Sequence, residues 1–282
     1  MPIIDNKNDK KQLVTVVIPL YQNSLSEIER WAVTRNLKML SPERDIAVVC
    51  PNDLDLSPLS ELLGLDKGRC RVERFAPEFF EGRQGYNHLM LSHKFYSRFV
   101  KSHFIIICQT DVALFCDNLD YWCSLDYDYI GAPWLPAQSD VEGWNLPRRA
   151  IYMLRRGWAR AKGGFSPTLI KWKVGNGGFS LRRVDAMLQV IDNHRKEIEN
   201  IVSNADDVSC FEDVVWGVRA NEEWNAGLNI PDAITAAHFA FEGHPDFAYR
   251  LTNGKLPMGA HAFYRRRNRS FWLKHMDFNT KA

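Results

Sequence analysis

Apolar β-branched runs alternate along this chain with stretches that repeat at helical spacing. Val14-Thr15-Val16-Val17-Ile18 reads as a buried strand closed by Pro19, and Ile46-Ala47-Val48-Val49-Cys50 as a second strand stopped by Pro51. Between them Leu25, Ile28, Trp31, Ala32 and Leu40 fall near helical spacing over Ser24–Leu40. Arg71–Phe75 reads as a short third strand, and Tyr86–Val100 carries Leu89, Phe95 and Phe99 in a helix-like pattern. Phe104-Ile105-Ile106-Ile107-Cys108 is the most apolar run, as expected of a central strand covered on both faces. Further on, Asp128–Gly131 and Phe179-Ser180-Leu181 read as short strands, and Val184, Met187, Leu188, Ile191, Ile198 and Ile201 as one long amphipathic helix. Strands alternating with helices predict an α/β fold with a mostly parallel sheet.

The central run ends in Gln109-Thr110-Asp111 before resuming as Val112-Ala113-Leu114-Phe115. A lone carboxylate at the end of a buried strand needs a partner, because burying an unpaired charge is costly. In open α/β sheets, ligands bind just beyond the carboxyl ends of the strands. A divalent cation or polar substrate would satisfy Asp111; capping of the following turn is the competing reading. Ser209-Cys210-Phe211-Glu212 fits a capping box, which gives Glu212 a structural role. Asp213 is left in the first helical turn, where the helix dipole favours its ionised form, as a general base requires. Val174-Gly175-Asn176-Gly177-Gly178 reads as a tight loop, either a plain turn or a place where bare backbone approaches a ligand.

Charge changes the picture of the second half. The net charge is only +2, yet no acidic residue lies between Glu142 and Asp185, where eight lysines and arginines fall from Arg148 to Lys173. Arg265-Arg266-Arg267 and Arg269 form a second basic cluster, and aromatics interleave both. These segments read as solvated faces, as a nucleic-acid groove, or as partners for anionic glycan or the inner membrane leaflet. A helix is predicted over Pro147–Lys162, amphipathic within Ala150–Ala161. No apolar stretch reaches the ~18 residues of a membrane span. The six cysteines form no C-x-x-C pair, and buried free thiols point to a reducing, cytoplasmic setting. The organisation expected is a leader at 1–12, one domain at 13–264 with a basic insertion at 135–173, and a basic aromatic tail at 265–282.

The strand ending in Asp111, the Gly-Asn-Gly-Gly-Phe-Ser loop, the Glu212-Asp213-Val-Val-Trp segment and His261 in Pro-Met-Gly-Ala-His follow one another in an order that resembles nucleotide-sugar-dependent glycosyltransferases of the GT-A fold. The resemblance extends over most of Val14–Phe263, and is to a little-characterised subfamily with a degenerate D-x-D motif, since Gln109 stands where the first acid is expected. It implies a Rossmann-like, GT-A-like sheet and transfer from a nucleotide sugar, a UDP-sugar, to a glycan or lipid-linked saccharide. Asp111 and His261 become metal ligands for Mn²⁺ or Mg²⁺. Gln109, Thr110, Asn176, Gly177 and Gly178 become donor contacts, together with Pro19, Tyr21 and Asn23 at the first strand's end and Asp53 after the second. Trp134 in Gly131-Ala132-Pro133-Trp134 reads as a platform for a sugar face or, as is more common for a tryptophan beside a strand end, as core. Asp213, with Glu212 beside it, becomes the base of an inverting displacement. The rival readings are a sugar-phosphate nucleotidyltransferase and a non-enzymatic glycan- or nucleic-acid-binding module; in the enzyme reading, the basic segments serve an anionic membrane surface rather than nucleic acid.

Overall fold

A computed structural model describes residues 12–136, 154, 170–203 and 208–276. The expected strands β1 (Gln12–Pro19), β2 (Asp45–Pro51), β3 (Arg71–Phe75) and β4 (Ser102–Cys108) are all present. They form the parallel part of a six-stranded sheet ordered β3-β2-β1-β4-β7-β6, with β6 at Tyr129–Gly131 and β7 at Phe179–Arg183. The last two pairings, β4–β7 and β7–β6, are antiparallel. Every residue from Phe104 to Cys108 is buried, as a strand covered on both faces must be.

A second, three-stranded sheet orders β5 (Val112–Leu114), β9 (Gly259–His261) and β8 (Ala240–Phe241). The chain therefore leaves the large sheet at Cys108, turns through 109–111 and enters the small one at Val112. The helix Glu27–Met39 holds this crossover. Its buried Asn36 donates from Nδ2 to the Val112 carbonyl at 2.7 Å and accepts from the Leu114 N–H at 2.9 Å, so a side-chain amide stands in for a strand neighbour along β5. Its N-terminus carries a true capping box, Ser26 with Glu29.

Two helix expectations are corrected. The helical pattern over Tyr86–Val100 resolves into Gly82–Met90 and His93–Tyr96, with Ser92 capping the second piece. The long helix after β7 breaks at His194 into Val184–Asn193 and Arg195–Ser203. The basic stretch expected as a tail forms the helix Arg266–Trp272 on a second apolar cluster, with Phe271 and Trp272 buried against Phe241, Phe247 and Phe263. Gln12, placed in the leader, opens β1. The predicted helix Pro147–Lys162 lies outside the described residues apart from exposed Leu154. Among the described residues, no helix is long and apolar enough to cross a membrane. All six cysteines are free, five of them buried.

Arg182, on β7, has no solvent exposure. Its guanidinium meets Glu212 at 2.9 Å, the Tyr96 hydroxyl at 3.1 Å and the Gly177 carbonyl at 3.4 Å, while its Nε donates to the Ser180 hydroxyl. Removing one member of such a pair leaves the other charge stranded. Arg182→Met is expected to lower folding stability by about 3–5 kcal/mol, and Arg182→Met combined with Glu212→Leu to recover much of that loss. Urea unfolding of the two variants beside the wild type measures both outcomes.

Candidate active site

Two strand registers assemble the site. Antiparallel pairing of β4 with β7 sets Cys108 opposite Phe179, which carries the 176–178 loop beside Gln109; the Gln109 N–H donates to the Gly178 carbonyl at 2.9 Å. Antiparallel pairing of β5 with β9 sets Val112 opposite His261, which delivers the imidazole to Asp111. His261 Nε2 then lies 3.2 Å from Asp111 Oδ1, and the Ala262 N–H donates to the Asp111 carbonyl at 3.1 Å. Ala262 turns the chain out of β9 at φ 50, in the left-handed region that costs an alanine about 1–2 kcal/mol.

A cleft of about 410 Å³ opens at this rim, beyond the carboxyl ends of β1 and β4. Pro19, Tyr21, Gln109, Thr110 and Asp111 all line it. Tyr21 stands at 62% exposure, a ring free to stack. Thr110 lines the cleft, but its hydroxyl donates to Glu29 Oε1 at 2.7 Å and so ties the turn to the helix Glu27–Met39. Asn23 and Asp53 are exposed and, like Asp213, His261 and the 176–178 turn, are not among the residues lining this cleft. Among the lining residues the sequence reading did not place there are Glu29, Arg83, Tyr86 and Tyr264. Arg83 and Tyr86 share the helix Gly82–Met90, and Glu29 belongs to the capping box of the helix Glu27–Met39, so no local motif links the four.

The 176–178 turn has a structural reason for its composition. Asn176 is buried at φ 67, which asparagine tolerates, and its Oδ1 accepts from the Gly178 N–H at 3.0 Å. A Cβ on Gly177 would lie 1.6 Å from Glu212 Oε1, and one on Gly178 would lie 2.4 Å from His261 Nε2. The bare backbone expected to admit a ligand is therefore filled by two protein side chains. Trp134 is likewise packed on Gly175, where a Cβ would meet its ring at 1.9 Å, so the face expected for a sugar is covered by backbone.

The expected capping box at Ser209 does not form. Glu212 opens the helix Glu212–Val214, Phe211 stands at the cap without a side-chain bond, and the Glu212 N–H is taken by Asn87 Oδ1 at 3.2 Å. The Glu212 carboxylate, at 4% exposure, is committed to Arg182, so the catalytic role expected for it is corrected to a structural one. Asp213 points to the glycine turn: its Oδ2 accepts from the Gly177 N–H at 3.4 Å and its Oδ1 from the Val214 N–H at 2.9 Å. Burial, reinforced by the carboxylates of Glu212 and Glu242, raises its pKa to about 7 against those two hydrogen bonds. The helix dipole expected to keep Asp213 ionised is thus outweighed, because the α-helical turn lasts only three residues before a π-helical one and the carboxyl is desolvated.

Around His261 the balance runs the other way. Burial alone would lower its pKa, but Asp111 on one side and Glu242 on the other lift it to about 10. Burial pushes Asp111 and Glu242 up, yet His261 and the nearby Arg265 hold both below their ordinary values. Asp111 and His261 also suit a divalent cation. Neighbouring ligands in an octahedral shell of radius ~2.1 Å stand about 3 Å apart, close to the 3.2 Å between these two atoms. A second feature is the buried His261 Nδ1, which has no hydrogen bond of full geometry and faces Glu242 Oε1 at 3.4 Å. Among the described residues no group of three or more histidine, cysteine or acidic side chains is arranged to hold a metal, so Asp111 and His261 would need ligands from substrate or water.

Comparison with known proteins places this architecture. A family described as "Protein of unknown function (DUF5672)" matches residues 69–261, a span that contains Asp111, the 176–178 turn, Asp213 and His261. No curated protein matches. The chain is similar in structure to the galactosyltransferase LgtC in complex with donor and acceptor sugar analogues, at 11% identity and TM-score 0.53, covering 95% of this chain and 98% of that one. It is similar to mouse xyloside xylosyltransferase 1 in its apo form, at 12% identity and TM-score 0.51, covering 89% and 97% of the two chains. It also resembles the apo structure of the bifunctional glycosyltransferase WbbM, at 11% identity and TM-score 0.51, over 93% of this chain and 46% of that one. The fold is that of the GT-A glycosyltransferases.

The raised pKa of Asp213 has a sign that can be checked. The folded protein keeps this proton to about pH 7, whereas the unfolded chain releases it near the ordinary value of 3.8. The unfolded state therefore binds fewer protons in that window, and the Asp213 contribution to stability falls as pH rises from about 4 to 7. Asp213→Asn lacks that loss. Its denaturation midpoint relative to wild type is expected to rise steadily between pH 4 and 7 and to level off above it.

Proposed function

This chain belongs to the DUF5672 family, and we propose that it is a glycosyltransferase, moving a sugar from a UDP-sugar to a hydroxyl of a glycan or lipid-linked saccharide with inversion at the anomeric carbon. The observation that carries this reading is the arrangement at one rim of the sheet. Asp111 with His261 lines one side of the glycine turn, and Asp213, poised near neutrality, lies on the other.

In the reaction, the acceptor oxygen attacks the anomeric carbon as the bond from that carbon to the diphosphate oxygen breaks, and the bonding pair leaves with the diphosphate. Asp213 takes the acceptor's proton. A carboxylate with a pKa of about 7 is a stronger base than an ordinary aspartate, while still ionised in about half the molecules at neutral pH. Mn²⁺ or Mg²⁺ between Asp111 and His261 would supply positive charge to the departing diphosphate. Arg265, close enough to lower the pKa of Asp111, adds cationic charge on the same side. We assign the nucleotide to the cleft beside Tyr21 and Gln109, and the donor sugar to the 176–178 turn, where Asn176 Nδ2 has no protein hydrogen-bond partner. Exposed Arg265, Arg266 and Arg267 near the mouth suit an acidic or lipid-linked acceptor, with the enzyme at the cytoplasmic face of an anionic membrane.

A thermal-shift panel of nucleotide sugars with and without Mn²⁺ tests the donor. One UDP-sugar at about a hundredfold excess over its Kd is expected to add about 2.7 kcal/mol, or several degrees in Tm, only when metal is present. Stabilisation by none of them removes the reading. In turnover assays with that donor, Asp213→Asn is expected to lose about 10²–10⁴-fold in kcat while keeping the thermal shift, and Asp111→Ala to lose both. Wild-type kcat/KM is expected to fall as pH drops below about 7, where Asp213 takes up its proton. Retained biological output in both variants would instead favour a binding module.

A further inference from the structure

We propose that Glu242 is a positioning residue that fixes the His261 ring, so that Nε2 is presented beside Asp111; the ion it would serve rests on the glycosyltransferase reading above. The two nitrogens of this imidazole meet different partners. Nε2 lies 3.2 Å from Asp111 Oδ1, and Nδ1 lies 3.4 Å from Glu242 Oε1. Glu242 and Asp111 thus hold the ring between them from its two opposite nitrogens. Where an imidazole binds a cation through one nitrogen, a carboxylate on the other fixes the tautomer, orients the ring and raises its basicity.

The protein commits structure to keeping Glu242 there. Glu242 directly follows β8, which runs parallel to β9 with Phe241 opposite Ala260, one residue before His261. Its carbonyl accepts from Nδ2 of Asn268 at 2.8 Å, and Asn268 is almost wholly buried in the helix Arg266–Trp272. Its side chain retains 18% exposure and His261 only 11%, so water competes weakly for Nδ1. Nδ1 is buried and makes no hydrogen bond of full geometry, and Glu242 Oε1 at 3.4 Å is the carboxylate it faces. Gly178 presses on the other end of the ring, where even one methyl group would come within 2.4 Å of Nε2. Glu242 also reaches the second half of the site, since its charge helps to raise the pKa of Asp213.

The test uses the full-length chain and two readouts. Without metal, the proton NMR signal of the His261 Nδ1–H is expected to appear downfield in wild type, to vanish or move strongly in Glu242→Ala, and to persist with a smaller shift in Glu242→Gln, whose amide oxygen can still accept. In Mn²⁺ titrations followed by electron paramagnetic resonance, Glu242→Ala is expected to weaken binding about 10–100-fold, and Glu242→Gln to restore most of that loss. An unchanged Nδ1–H signal in Glu242→Ala overturns the proposal, as does unchanged Mn²⁺ affinity in a wild type that binds the ion. If wild type binds no Mn²⁺ while the signal follows Glu242, the ion reading fails and the hold on the ring stands. Should Glu242→Ala fail to fold, the near-isosteric Glu242→Gln decides: a shifted Nδ1–H signal supports the proposal, and an unmoved one overturns it.

Discussion

A buried guanidinium, Arg182, sealed against Glu212, is the constraint on which half of this site depends. Taking both charges out of water costs several kcal/mol per ion, and only close geometry and further hydrogen bonds offset that. Here the geometry is close, and Tyr96, Ser180 and the Gly177 carbonyl share the guanidinium. The consequences spread outward from the pair. Glu212 is drawn so near the turn that position 177 has room for no side chain. The next residue, Asp213, is thereby fixed against the Gly177 N–H and desolvated, and its pKa follows. The chemistry assigned to Asp213 is set by an ion pair that is itself almost wholly buried.

The other half depends on the crossover between sheets. Asn36 and Glu29, both on the helix Glu27–Met39, hold the chain between Thr110 and Leu114 by side-chain bonds to β5 and to the Thr110 hydroxyl. The small sheet is backed by an aromatic cluster that includes Phe263, Phe271 and Trp272. The basic segment before Phe271 is therefore anchored by its own aromatics, and Arg265 is held close enough to Asp111 to lower its pKa.

Much of the fold was legible because β1, β2 and β4 are buried on both faces and read as unbroken apolar runs. Asp111 was legible for the same reason: a charge that interrupts such a run has to be accounted for. The failures share one cause, that local patterns do not report distant competitors. Ser209-Cys210-Phe211-Glu212 and Ser26-Glu27-Ile28-Glu29 are the same capping pattern. Only the second forms a box, because no buried arginine competes for Glu29 as Arg182 does for Glu212. The glycines at 177 and 178 were visible, but the side chains filling their space, Glu212 and His261, come from distant parts of the chain. Glu242 left no signal at all, since its partner lies on the neighbouring strand and no spacing rule links the two.

The pairing of β5 with β9 carries one further consequence. Side chains alternate faces along a strand, so a slip of a single residue between these three-residue strands would turn His261 away from Asp111 and bring Ala260 or Ala262 round in its place. Such a slipped chain could keep most of its buried core and still have no imidazole at the rim. The contact between Asp111 and His261 therefore doubles as a report on alignment, present only in molecules whose last strand has settled in the native register.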